Sequence, residues 1–215
     1  MKKIILLIFL TAGMQQLFAQ SVKFGIKAGL NESTAQSENG TSVSDIAGFN
    51  AAIFADIQWS KISIEPGLSY TSKGYHSHSV IVRSTPTPYT FDAEGNVTLN
   101  YLELPVNVLY HIPVGPLKIF FGGGPYLGIA MSGSSQGNTT VDGVKTVGAT
   151  NKLSFGPEDE FKKTDYGFNA LVGFTLQNGL LFSVDYGHGF TNTVNRNGLS
   201  IKNRVLSLSI GYEFL

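Results

Sequence analysis

Eight stretches of this 215-residue chain alternate, position by position, between apolar side chains and small, polar or charged ones. That two-sidedness constrains the fold more than any motif, because a period of two belongs to a β-strand with unlike faces. The clearest case is "YLELPVNVLYHI", residues 101–112. Leu102, Leu104, Val106, Val108, Tyr110 and Ile112 share one face, while Glu103, Pro105, Asn107 and His111 sit between them. The other runs are 22–30, 49–57, 62–70, 117–131, 166–174, 180–186 and 206–214; the 117–131 run is glycine-rich and its phase is less clean. No segment offers a convincing amphipathic helix.

The connections alternate as strictly as the strands. "QWSK" (58–61), "PVGP" (113–116) and "QNG" (177–179) are short, whereas the stretches 31–46, 73–97, 132–163 and 191–203 are long and polar. A meander with that rhythm places all long loops at one end and both termini at the other. Transmembrane barrels have this layout, with an even strand count, short periplasmic turns and long outer loops. Runs of about 9–11 residues also suit a tilted bilayer crossing.

Cost decides which face meets lipid. A charge on the lipid face near the midplane costs about 2–4 kcal/mol, so the faces carrying Lys27, Asp56, Glu65, Glu103, Asp185 and Glu213 are expected to point inward. Lys23, Lys27, Lys61 and Arg204 offset these acids, and buried charge persists only when paired. The expected interior network is therefore Lys23, Lys27, Asp56, Glu65, Glu103, Asn107, Asp185, Arg204 and Glu213, with His111 also inward. Lys23, Lys27 and Arg204 are the expected partners of Glu103, and Pro105, which lacks a donor, suggests a bulge or local irregularity. Trp59, Tyr110, Tyr212 and Phe214 fall at the short-turn end, and Phe49, Tyr70, Tyr166 and Phe190 near the long-loop end, as two interfacial belts would.

A soluble lipocalin-like barrel, apolar face inward around a ligand, has the same periodicity. The belts, the absence of cysteine and a terminal strand ending "SIGYEFL" weigh against it. Lys2 and Lys3, the short apolar run "IILLIFLTAGM" and Ala19 read as a secretory signal peptide over 1–19, leaving a barrel domain over 20–215. Equal numbers of basic and acidic residues, 15 each, remove the electrostatic footprint of a nucleic-acid binder.

"SIEPGLSYTSKG" (63–74), "YLELPVNVLYHI" (101–112) and "GGGPYLG" (122–128), in that order, resemble the PorT-like outer-membrane β-barrel family. The family's E-P-x-L-x-Y-x-x-K-G strand matches at Glu65, Pro66, Leu68, Tyr70, Lys73 and Gly74. Its Y-L-E-[IL]-P strand matches at Tyr101 to Pro105, and its G-P-Y strand at Gly124, Pro125 and Tyr126. The resemblance implies a small outer-membrane barrel of a Gram-negative cell. It does not imply one activity, and the link of one namesake to a protein-secretion system is fold analogy.

Candidate chemistry is sparse. His76 and His78, with Asp92 as a third ligand, have metal-binding character, but a solvated loop explains them as well. "GPEDEF" (156–161) gathers Glu158, Asp159 and Glu160 without the spacing or turn glycine of a calcium loop. "FFGGGP" (120–125) lacks the Gly-Lys-Ser/Thr and helix of a phosphate loop. Glu65 and Glu103 read as an ion-paired set before they read as acid and base, since eight strands leave an interior just filled by side chains. "TVDGVKTV" (140–147) places Asp-Gly between apolar residues, a hairpin signal. The expectation is an all-β, eight-stranded antiparallel up-and-down transmembrane barrel in the outer membrane. It is a scaffold presenting loops, not an enzyme and not a general porin, without cofactor or metal. Its partners are outer-membrane lipid and a protein met through the loops. A loop-borne enzyme and a secretion-linked accessory barrel are the alternatives.

Overall fold

Antiparallel pairing closes the alternating runs into a ring. The computed structural model describes residues 21–37, 42–83, 89–195 and 200–214, so the expected signal peptide over 1–19 lies outside the described residues. The strands are β1 (Ser21–Ser37), β2 (Ser42–Ser44), β3 (Ile46–Trp59), β4 (Ile62–Arg83), β5 (Tyr89–Val114), β6 (Leu117–Val141), β7 (Val144–Lys152), β8 (Thr164–Leu176), β9 (Leu180–Gly189) and β10 (Ile201–Phe214). The wall runs β1-β3-β4-β5-β6-β8-β9-β10 and closes where β10 pairs β1, from Phe24↔Phe214 to Ser37↔Ile201. β2 and β7 are additions at the long-loop end: β2 pairs only β4, and β7 pairs only β6.

The apolar faces point outward. Phe24, Leu30, Ile53, Leu104, Val108, Leu127, Val172, Leu208 and Ile210 are exposed, while Asn31, Asn50, Asp56, Glu65, Glu103, Asn107 and Ser209 are buried. This is the reverse of a lipocalin, and an apolar wall of this extent belongs in hydrocarbon. Belts flank it. Phe49 lies 5.6 Å from Tyr70 at the long-loop end, and Tyr110 lies 5.7 Å from Phe121 at the other. The glycine-rich β6 resolves into the same alternation: Phe121, Leu127 and Ile129 are exposed, while Phe120, Tyr126 and Ala130 are buried. Inward glycines make room for inward rings. A Cβ at Gly173 would strike the Phe120 ring, as one at Gly25 would strike Phe54. Phe54, Leu109, Phe120, Leu171 and Leu181 thus form an apolar cluster inside the barrel.

Strand lengths depart from expectation. β5 has 26 residues, β6 25 and β4 22, far more than a crossing needs. The stretch 73–97 is therefore largely paired: β4 and β5 hold one register from Ile62↔Tyr110 to Arg83↔Tyr89. Above the lipid the outer face becomes small or polar (Ser72, Gly74, His76 and His78), so the apolar alternation fades while the backbone ladder continues. The 132–163 stretch begins in the same way, as a β6–β7 hairpin. Asp142 (φ 49°) and Gly143 (φ 84°) form its turn, the left-handed pair that a two-residue hairpin needs.

Pro105 sits at a local irregularity of the ladder rather than at a bulge. The register shift between β5 and β6 lies at Asn100/Tyr101, and Pro105 stays in register with Tyr126. Its missing donor is absorbed where rungs to β4 are absent, opposite Gly67 and Leu68.

Candidate functional site

The interior charges sort into three layers, each built by strands whose registers bring unlike charges to one height. Nearest the short turns, Lys23 of β1 lies 3.5 Å from Glu213 of β10. Lys118 of β6 lies 3.6 Å from both Glu213 and Asp56. His111 of β5 places Nε2 2.7 Å from Ser63 Oγ and 3.8 Å from Asp56 Oδ1. In the middle layer Lys27 stands 3.4 Å from Asp185 and 3.8 Å from Glu65. Asn107 Nδ2 donates to Glu65 (3.3 Å), and Ser183 Oγ donates to Asp185 (2.7 Å).

The third layer is the driest. Lys73 Nζ contacts Glu103 Oε1 at 2.5 Å and Asp165 Oδ2 at 3.2 Å, and the three side chains are 3%, 8% and 0% exposed. Thr71 donates to Glu103 (3.2 Å), while Tyr126 and Asn203 donate to Asp165 (3.3 and 2.9 Å). The ammonium also faces the Tyr126 ring at 4.4 Å and the Tyr101 ring at 5.3 Å. Beside these layers Asn31, Asn50, Ser207 and Ser209 are hydrogen-bonded in series. A cavity of only about 70 Å³ separates the middle and third layers.

Above the third layer the long-loop mouth closes with apolar side chains. Tyr75, Leu99, Tyr101, Phe161, Val194 and Ile201 pack together, with Leu153 and Phe155 against them. Phe161 ends the "GPEDEF" segment, so that segment anchors the mouth. Asn195 secures it, donating from Nδ2 to the carbonyls of Gly156 (2.8 Å) and Asp159 (2.7 Å).

Several expected positions differ. Glu103 pairs with Lys73, not with Lys23, Lys27 or Arg204. Arg204 belongs to the phase of Leu206 and Leu208 and so lies on the outer wall. Its guanidinium donates to the carbonyls of Gly189 and Asn203, both at 3.0 Å. Lys61 is exposed in the β3–β4 turn rather than inside. Three interior groups were missed in the sequence. Lys73 and Asp165 lie at inward positions of strands extended past the last lipid-facing residues, and Lys118 lies on the strand of unclear phase. Counting two residues at a time from Glu65 to Lys73, or from Leu171 to Asp165, finds the first two.

The chemistry these groups can do is limited by access. Ser63, His111 and Asp56 bring together the residue types of a hydrolytic triad. Yet both Ser63 and Asp56 face Nε2, while Nδ1 is buried without a partner. A proton relay needs the nucleophile and the acid on opposite ring nitrogens, and Ser63 is fully buried. Glu65 and Glu103 sit in different layers, each beside its own lysine. On the β4–β5 hairpin, His78 Nε2 lies 2.8 Å from Asp92 Oδ1, while His76 is bonded to Asn96 at 2.6 Å. "FFGGGP" is strand throughout and no helix follows it.

Comparison with known proteins agrees with this architecture. Three of the solved structures to which the chain is similar illustrate this. One is Ail, the attachment invasion locus protein of Yersinia pestis (11% identity, 89% of this chain and 98% of that one, TM-score 0.41). The second is Neisserial surface protein A (17%, 90% and 99%, TM-score 0.38). The third is the outer membrane enzyme PagL (10%, 86% and 98%, TM-score 0.35). No curated protein matches the chain. The model of one family, described as the outer membrane protein beta-barrel domain, matches residues 18–195. This chain, an eight-stranded antiparallel barrel with its apolar wall outward, belongs to that outer-membrane family.

Proposed function

We propose that the protein is a non-enzymatic scaffold of the outer membrane that presents its long hairpins and the 153–163 segment to a protein partner outside the cell. In this reading residues 1–19 are a signal peptide, the cell is Gram-negative, and the chain is one of the PorT-like barrels, a reading supported by its three sequence motifs.

The observation that carries the reading is the filled lumen. Ion-paired layers occupy it from Lys23 to Lys73, and the Phe161 cluster covers the top. An interior of that kind offers neither a water-filled passage nor room for a substrate, and wide channels need many more strands. What remains available to a partner is the rigid set of hairpins standing above the wall, and binding residues tend to ride on such segments.

The test uses whole cells and in vivo cross-linking. The parent is compared with a variant in which the β4–β5 and β6–β7 extensions are replaced by short turns. The shortened barrel is expected in the outer membrane with its gel shift between unheated and boiled samples intact, but without the parent's cross-linked partner. An unchanged cross-linking pattern, or a soluble periplasmic parent, refutes the proposal.

A further inference from the structure

We propose that the β4–β5 hairpin carries a binding site for a divalent transition-metal ion, zinc by its donor set, formed by His78, Asp92 and Glu94. The site does not depend on the scaffold reading.

The ladder creates the convergence. His78 of β4 pairs directly with Glu94 of β5, and Val80 pairs with Asp92. Asp92 is therefore the diagonal neighbour of His78 on the same face. Direct pairs hold their Cβ atoms about 5 Å apart and diagonal pairs about 7–8 Å, within reach of these side chains. One donor atom from each of the three lies within 4.8 Å of the other two. A metal at about 2.1 Å from each ligand requires donors about 3.4 Å apart. His78 Nε2 and Asp92 Oδ1, hydrogen-bonded at 2.8 Å, need to part by only roughly 0.6 Å to hold an ion between them. Glu94, with a carboxylate oxygen within 4.8 Å of both, has to move inward to complete the set.

A second observation points to the same place. Asn138 of β6 pairs with Glu94 in the ladder, and its Oδ1 is buried without a hydrogen-bond partner. Glu94 and Asn138 line, with His76 and Asn96, one recess of about 100 Å³ that adjoins the cluster at Glu94. This orphaned amide oxygen, at the Glu94 end of the cluster, is a further acceptor for a water bound to the ion. One imidazole with carboxylate oxygens suits zinc better than calcium or magnesium, which favour oxygen-only cages.

Two neighbours set the contrast. Lys145 of β7 lies 3.7 Å from Glu94 Oε2 and supplies the positive charge that a bound ion would replace. Its side chain is 56% exposed, so it can withdraw to solvent. His76, two residues from His78 on the same face, is engaged with Asn96 and is not a ligand.

The test is isothermal titration of zinc into the untagged, full-length chain, folded in detergent and stripped with a chelator. One ion is expected per chain. His78→Ala should weaken binding at least about tenfold, the scale of losing a ligand or its support. His76→Ala should leave affinity within about twofold, and Lys145→Met should tighten it, both by the geometry above. Each variant is first shown to keep the gel shift of the folded barrel. No zinc uptake by the parent, undiminished uptake by His78→Ala, or an equal loss in His76→Ala overturns the site. None of these results depends on whether a protein partner is captured by the hairpins.

Discussion

Replacing Lys73 by methionine tests how the barrel tolerates six interior carboxylates. Lys73 is the only cation beside Glu103 and Asp165 in the contacts described, and all three side chains are nearly dry. Removing the lysine leaves two negative charges facing one another. Losing one partner of a buried pair costs about 3–5 kcal/mol, and two stranded carboxylates place this change at the upper end. Glu103→Gln is milder, because Lys73 keeps Asp165 and the new amide oxygen still accepts. The expected cost there is about 1.5 kcal/mol or less. A triple variant with methionine at 73, glutamine at 103 and asparagine at 165 removes all three charges and should recover at least half of the loss, since neutral replacement of a buried ion set is often near neutral. Lys23→Met is the control. Its side chain is 28% exposed, and a pair open to solvent contributes about 1 kcal/mol or less. The assay is urea unfolding of barrel reconstituted in lipid vesicles, followed by loss of the heat-modifiable band. Lys73→Met within about 1 kcal/mol of the parent would refute the reasoning. So would a triple variant no more stable than the single one.

Two further outcomes follow from the mouth and the hairpin. Phe161→Ala removes a buried ring that seats the 153–163 segment, a change worth about 3–5 kcal/mol locally. The variant should become susceptible to protease in that segment while keeping the folded band and remaining electrically silent in planar bilayers, because the Lys73 layer still fills the lumen. Gly143→Val places a branched side chain at φ 84°, a strain of about 1–3 kcal/mol confined to the β6–β7 turn. Amide exchange should quicken in β7 while the barrel's unfolding midpoint in urea stays fixed.

The wall of the barrel was legible in the sequence because lipid acts on single residues. Each outward position is apolar for its own sake, so strand number, inward face and short turns can be read along one strand at a time. Interior pairing is different, since it depends on how far each strand is staggered against the next. Nothing in "YLELPVNVLYHI" says that Glu103 stands level with Lys73 rather than Lys27. Lys73 was visible within the "EPGLSYTSKG" motif, yet the lipid-facing signal ends at Tyr70 and the lysine read as loop. Arg204 was misplaced for a related reason. Charge suggested the interior, but its phase with Leu206 and Leu208 assigns it to the outer wall near the interface, where a long side chain can reach water. The inward Phe120 and Leu171 carry no such signal in the sequence, because apolar side chains facing the interior look like lipid-facing ones.

The length of β4 and β5 also fixes a height. Tyr70 marks the upper aromatic belt and His78 lies 78 − 70 = 8 residues farther along the same paired strand. At about 3.4 Å per residue this is about 27 Å of strand, or about 20 Å above the belt if the membrane tilt of about 45° is maintained. A flexible loop of equal length would sweep that distance at random and spend most of its time near the headgroups. A hydrogen-bonded ladder instead behaves as a mast. It carries His78, Asp92 and Glu94 beyond the lipid headgroups at a set elevation, so a solute reaches them without having to approach the bilayer.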